Sequence, residues 1–333
     1  AYACELFMAW NGQDYSLVGE RAYRRVDRSG TNTTAYRNYS EEFRGSVFGA
    51  ARTQACVVIA GTPRDARDNG LLWTQAMTLD GVPGPVQRNL GTDSSKAIVS
   101  HGPSARLFWS TGYPLGAPEI SRQRSTCLDP WGAPVGEPVW SAPVTMDANS
   151  SGALEWAGSF YGLFQDWTSS WRMTRLCADG RPFEPAWIPL TWNGAAIYPN
   201  VGHIMSADIV WTGDSFAIAW TQVFGGLMYV VLGAYRMDGT ALFDPVRVRM
   251  KNLRRPRVAF NGNMYLVAWV DWEQGDDSSS YYVQRIDKQG NPVGCVLRMR
   301  PPPGLDFGIG TNRIIVGEAG IWHNGTEWVG NYC

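Results

Sequence analysis

The sequence predicts an all-β fold built from one repeated four-stranded sheet. Three observations carry the prediction. The stretch from Arg257 to Met299 reads as four short apolar runs, RVAF, MYLVAW, YYVQRID and GCVLRM, separated by Asn261-Gly262, a polar loop and Lys288-Gln289-Gly290. Runs of β-branched and aromatic residues bounded by Asn, Gly and Asp are strands joined by hairpins. A turn of one kind then recurs along the chain: VDRSG ending at Gly30, LDG at Gly81, LDPWG at Gly132, ADG at Gly180, MDG at Gly239 and IDKQG at Gly290, spaced 51, 51, 48, 59 and 51 residues apart. Upstream of these lies a second landmark, a short x-x-Gly turn leading into a strand: Trp156-Ala157-Gly158 before FYGLFQDW, Trp211-Thr212-Gly213 before SFAIAW, Phe260-Asn261-Gly262 before MYLVAW and, more loosely, Ser100-His101-Gly102 before ARLFW. A sustained period near fifty made of strands is the signature of radially repeated sheets. The expected architecture is therefore a six-bladed β-propeller of four-stranded blades, one domain over residues 1–333, with seven blades, the last rudimentary, as the alternative.

Each element has a local reason. Asp suits the recurring turn because its carboxylate accepts bonds from backbone N–H groups two residues on, and Gly supplies the positive φ that closes it. Pro-containing segments follow four of these glycines: PGPV, APVGEPV, RPFEP and NPVG. Proline fits an outer edge strand, where a missing N–H costs least. Trp10, Trp109, Trp220 and Trp269 hold equivalent second-strand positions and are expected in the core between blades. The second blade looks degenerate, with only Ala55 to Ile59 left as its second strand. ELFMAW precedes Gly30 by the spacing of a second strand, so the chain is expected to open there and to borrow its first strand from Gly320–Gly325 at the C-terminus. Completing one blade from both chain ends would close the ring and remove free sheet edges.

Composition narrows the function. A chain of 333 residues, 44% hydrophobic and 13% aromatic, can bury a large core. Lys+Arg number 29 against 30 Asp+Glu, and only Arg254, Arg255 and Arg257 cluster, so nothing resembles a nucleic-acid stripe. No apolar run approaches a membrane span. Six cysteines include no CxxC or Cys/His zinc spacing, so no metal or other cofactor is expected. The start at Ala1 reads as a mature end after signal removal or a fragment boundary. If both ends of the chain meet in one blade, Cys4 and Cys333 are close enough for a disulfide that staples the ring. Cys127 and Cys177 sit at equivalent third-strand positions of adjacent blades, which splay apart with distance from the axis, so they are expected not to pair.

The pattern W-x-G-x-x-Y-L-V-A-W, then a strand ending R-x-D-x-x-G, then x-P-V-G, resembles the repeats of secreted bacterial β-propeller proteins, many of unassigned function. It runs from Glu5 to Trp328. The resemblance implies the fold and a secreted or periplasmic location. The chain lacks a Trp-Asp signature, a sialidase Asp-box and an Asp-x-Asp-x-Asp-Gly calcium loop. No catalytic residue is therefore carried over.

In such a ring the connections from the fourth strand of one blade to the first of the next share one face with the loops between second and third strands. The longest connection, roughly Thr191 to Ala207, holds Trp192, Tyr198 and His203. Loops on the same face carry Trp167, and Asp271 with Trp272. Aromatic faces beside carboxylates and an imidazole suit polar rings. The leading expectation is a secreted binding module for a glycan or another polar ligand at this face around the channel. Alternatives are a hydrolase or lyase pairing Asp166 or Asp271 with His203, and a protein-interaction scaffold. Asp276-Asp277 reads as a solvated tip, with weak calcium binding its sharper option. His101 and His323 fall at the opposite end of the blades and are expected to be structural.

Overall fold

The computed structural model describes residues 7–10, 15–18, 22–26, 33–34, 37–39, 45–63, 71–88, 90, 96–110, 123–141, 152–167, 170–183, 186–196, 207–224, 227–250, 253–271, 280–299, 308–310, 313–315, 322–323 and 328–329. Among these residues there is no helix and there are six four-stranded sheets, each a consecutive antiparallel meander. Blade one comprises β1 (Phe7–Trp10), β2 (Tyr15–Val18), β3 (Ala22–Val26) and β4 (Arg37–Asn38). Blade two comprises β5 (Gly45–Arg52), β6 (Cys56–Pro63), β7 (Trp73–Thr78) and β8 (Pro83–Gln87). Blade three comprises β9 (Lys96–His101), β10 (Ser104–Ser110), β11 (Gln123–Leu128) and β12 (Pro134–Trp140). Blade four comprises β13 (Gly152–Trp156), β14 (Phe160–Trp167), β15 (Ser170–Cys177) and β16 (Ile188–Pro189), followed by a hairpin of β17 (Thr191–Trp192) and β18 (Ala195–Ala196). Blade five comprises β19 (Ala207–Trp211), β20 (Phe216–Phe224), β21 (Leu227–Tyr235) and β22 (Val246–Met250). Blade six comprises β23 (Leu253–Phe260), β24 (Met264–Asp271), β25 (Ser280–Asp287) and β26 (Pro292–Met299). Two further hairpins follow, β27 (Gly308–Gly310) with β28 (Arg313–Ile315), and β29 (Trp322–His323) with β30 (Trp328–Val329).

First strands neighbour one another in order around an axis, β1 beside β5, β5 beside β9, then β13, β19 and β23. The closure differs from the one expected. β1 is the innermost strand of a sheet already complete with β2 to β4, and β27 stands in the inner ring between β23 and β1. Phe7–Trp10 is thus a first strand, and the C-terminal region adds a partial seventh position instead of completing blade one. The spacing to Gly30 misled because Tyr15–Val18, only four residues long, fits a second strand into the same interval. Blade two is also complete. Its first strand, GSVFGAAR, carries small residues because it approaches blade three closely: a Cβ on Gly49 would lie 2.8 Å from Ile98 Cγ2. Its turn has no glycine, and Thr53 Oγ1 instead accepts a bond from the Cys56 N–H at 3.1 Å. Asn261 Oδ1 plays this part in blade six, accepting from Met264 N–H at 2.8 Å.

The core is divided among the seams between blades. Tyr23, Val57 and Trp73 fill the seam of blades one and two, Val58, Leu107 and Trp109 that of two and three, and Phe108, Tyr161 and Leu176 that of three and four. Phe164, Trp171 and Trp220 fill the seam of blades four and five, and Val230, Tyr265 and Trp269 that of five and six. Trp109, Trp220 and Trp269 are at most 2% exposed, as their equivalent positions require, whereas Trp10 ends the first strand β1 and is not their equivalent.

The recurring turn joins third and fourth strands. Gly81, Gly132, Gly180, Gly239 and Gly290 adopt φ between +78° and +86°. Each donates its N–H to the carbonyl three residues back, at 2.8–3.1 Å. Asp carboxylates brace the turns, accepting from Trp131 N–H in LDPWG, Arg181 N–H in ADG, Thr240 N–H in MDG and Gln289 N–H in IDKQG. Each glycine also lies against the preceding blade: Gly81 on Tyr23, Gly132 on Val58, Gly180 on Arg106 and Ser125, Gly239 on Ile188 and Pro189, and Gly290 on Phe243. Cys56, Cys127, Cys177 and Cys295 are unpaired, so Cys127 and Cys177 do not bridge; Cys4 and Cys333 lie outside the described residues.

Gly158 and Gly180 separate the two demands on these turns. Their φ values are +86° and +84°, but a Cβ on Gly158 would meet open space and one on Gly180 would meet Ser125 Oγ and the Arg106 guanidinium. Gly158→Ala should cost about 1–2 kcal/mol for the left-handed backbone alone. Gly180→Ala should cost about 2–4 kcal/mol, since overpacking is added. Chemical denaturation of the two variants measures the difference.

Candidate functional site

The connections on the expected face run between residues 18–22, 39–45, 63–71, 90–96, 110–123, 141–152, 167–170, 196–207, 224–227, 250–253, 271–280 and 299–308, and their central residues lie outside the described set. Of the six candidate residues, Tyr198, His203 and Trp272 fall there. Trp167 closes β14 opposite Ser170, and Asp271 closes β24 opposite Ser280, so the backbones of both end at that face as expected. Nothing brings the six together among the described residues.

Trp192 has a different setting from a free loop residue. It lies in β17, which turns through Asn193 at φ +49° and Gly194 at φ +78° into β18. Thr191 is held by blade five, donating to Gly239 O at 2.8 Å and accepting from Ala241 N–H at 2.9 Å. The indole is half-buried against the seam of blades four and five. Trp192 therefore helps join two blades.

The innermost strands carry charged residues that the loop-based reading missed. Asp208 on β19 and Arg257 on β23 occupy equivalent heights, opposite Ala219 and Ala268 respectively. Glu155 on β13, opposite Gly162, is two positions further from the loop face. Asp208 Oδ2 accepts the Val258 N–H at 2.9 Å, so one carboxylate oxygen caps the inner edge of the next blade. Burial raises the Asp208 pKa, while Arg257 and the backbone N–H groups of Val258 and Ile209 pull it down. Burial and then the Asp208 charge push Glu155 up to about 8. Glu155 keeps some accessible surface although protein surrounds it, as a group lining an axial channel does. A proton-retaining carboxyl such as Glu155 can donate as well as accept hydrogen bonds at neutral pH. The signal in the sequence was faint: Glu155 and Asp208 are single charged residues in otherwise apolar first strands, and Arg257 is one of three arginines in β23.

No family model matches the sequence, and no curated protein matches it. Solved structures do. The chain is similar to Drosophila semaphorin 2a at 9% identity, over 94% of this chain and 70% of that one, with a TM-score of 0.52. It is similar to the β-propeller domain of Vanderwaltozyma polyspora Nup133 at 9% identity, over 94% of this chain and 91% of that one, with a TM-score of 0.50. The fold is a β-propeller. A thermostable family-43 glycoside hydrolase aligns at 11% identity over 76% of this chain and 94% of that one, with a TM-score of 0.42. At these identities the likeness is one of fold, which hosts unrelated functions.

Two outcomes follow for the propeller. Folded-state Glu155 holds a proton that the unfolded chain releases from about pH 4.5 upward. Wherever the native state binds more protons, stability falls as pH rises. The melting temperature should therefore decline between about pH 4.5 and 8 and then level off, and Glu155→Gln should flatten that decline. Trp192→Ala should cost about 1–2 kcal/mol of stability through lost seam packing, read by denaturant unfolding.

Proposed function

We propose that this propeller is a secreted or periplasmic binding module that takes a glycan or another polar ligand at the loop face around its channel. The supporting observation is the polar axis. Asp208, the second residue of β19, follows directly on the longest inter-blade connection, which carries Tyr198 and His203. Arg257 stands level with it on the next blade. Carboxylate and guanidinium groups recognise hydroxyls through charge-assisted hydrogen bonds, and the loop aromatics Trp167 and Trp272 supply stacking faces. Trp192 contributes by holding the base of the connection. A glycan-array screen of the wild type identifies the ligand. Asp208→Asn retains an acceptor for Val258 N–H, so it should fold normally yet weaken binding by about 1.5–3 kcal/mol. Normal binding by both Asp208→Asn and Trp272→Ala would place the functional surface elsewhere. Secretion is tested by intact mass under non-reducing conditions, where a Cys4–Cys333 disulfide removes a pair of hydrogens.

One observation favours a second reading, a hydrolase. Glu155 keeps its proton near neutrality beside a second buried carboxyl, Asp208, on which the Arg257 charge acts, and acid–base catalysis on a polar substrate uses two carboxyls held in different surroundings. The pair replaces Asp166 or Asp271 with His203 as the candidate for that chemistry. Turnover of chromogenic glycosides that Glu155→Gln abolishes would establish it.

A further inference from the structure

A second polar site lies away from the channel, in the seam between blades three and four. Arg106 on β10 is 5% exposed. Its Nη1 donates to Ser125 Oγ at 3.1 Å, and Ser125 Oγ also accepts from Ser141 Oγ at 2.5 Å. That hydroxyl is neutral. Among the described residues Arg106 forms no ion pair. A buried guanidinium left uncompensated is strongly unfavourable, so its surroundings should contain negative charge.

The named neighbours of Arg106 are neutral and bring no negative charge. Arg106 Nε, the Tyr161 hydroxyl and His101 Nδ1 are buried with no hydrogen-bond partner among the described residues. The groups are neighbours. His101 and Tyr161 ring centres are 5.7 Å apart, and Trp156 lies 4.3 Å from the first and 4.6 Å from the second. Burial and then the Arg106 charge hold His101 below its ordinary pKa, and Arg106, through its charge and a side chain that reaches the phenol oxygen, opposes the strong upward push that burial gives Tyr161. Guanidinium, phenol and a neutral imidazole can all donate. Phe108, Leu163 and Leu176 wall the seam with apolar surface. A cation with spare donors in an apolar setting matches one small anion of single charge, whereas a dianion would leave net charge buried.

We propose that the seam of blades three and four binds a small monovalent anion, of the halide or nitrate class, between Arg106 Nε, the Tyr161 hydroxyl and His101 Nδ1. The anion neutralises Arg106 and ties β10 to β14, so it acts as a structural ligand independent of whatever the channel binds. The test is thermal unfolding of the full chain in sodium chloride, sodium bromide and sodium gluconate at equal ionic strength. Chloride and bromide should give a saturable rise of about 3 °C over gluconate. Tyr161→Phe should raise the half-saturating concentration roughly tenfold, one hydrogen bond to a charged partner being lost. Arg106→Gln should abolish the anion response. Should that variant fail to fold, anomalous scattering from a bromide-soaked crystal decides: a peak within hydrogen-bond distance of Arg106 Nε upholds the site. A melting temperature that follows ionic strength equally in all three salts, or no bromide peak there, overturns it in favour of ordered water.

Discussion

The ring depends on how each blade meets the one before it, and the turn between third and fourth strands makes that contact. A glycine in a left-handed backbone sits against a side chain or carbonyl of the preceding blade in each of the five described instances, Gly81 to Gly290. Two constraints coincide there: the sharp hairpin needs positive φ, and the neighbouring blade leaves no room for Cβ. Between these contacts the seams bury the large aromatics. No blade has a closed core of its own; each sheet is covered only when its neighbours are in place, as stacked repeats require.

The same geometry explains the division of polar groups. Turns on one face are short and fixed by backbone bonds and Asp side chains, leaving little freedom for ligands. The connections on the other face vary in length, and some of them feed the innermost strands that carry Glu155, Asp208 and Arg257. Inner strands have one unpaired edge, and side chains from an adjacent inner strand help satisfy it, as Asp208 does for Val258 and Ser100 Oγ does for Arg52 N–H at 2.8 Å. A polar residue on an inner strand therefore has a structural demand on it before any function is added. Asp208 meets that demand with one carboxylate oxygen.

Polar groups in the seams are held among apolar side chains. Arg106, half-buried His101 and Tyr161 sit in a layer otherwise filled by Phe108, Leu163 and Leu176, where a buried donor needs a partner. His101 lies at the end of the first strand β9, where the sequence placed it, and its ring meets those of Trp156 and Tyr161 at tilted and edge-on angles.

By itself the sequence determined the repeated sheet, its turns and the core tryptophans, because these follow from local chemistry. Asp and Gly at a hairpin, Pro on an outer strand and an alternating aromatic strand carry their meaning within a few residues. Only the tertiary structure decided which strand was innermost at the N-terminus, how the ring closes, and that the small residues of Gly45–Arg52 are a full strand pressed against blade three. Those depend on which neighbour each strand meets, and that neighbour is some fifty residues away. The same reason hid the axial charges and the seam around Arg106. Glu155 and Asp208 are separated by a whole blade in sequence, and their proximity arises because successive innermost strands share one axis.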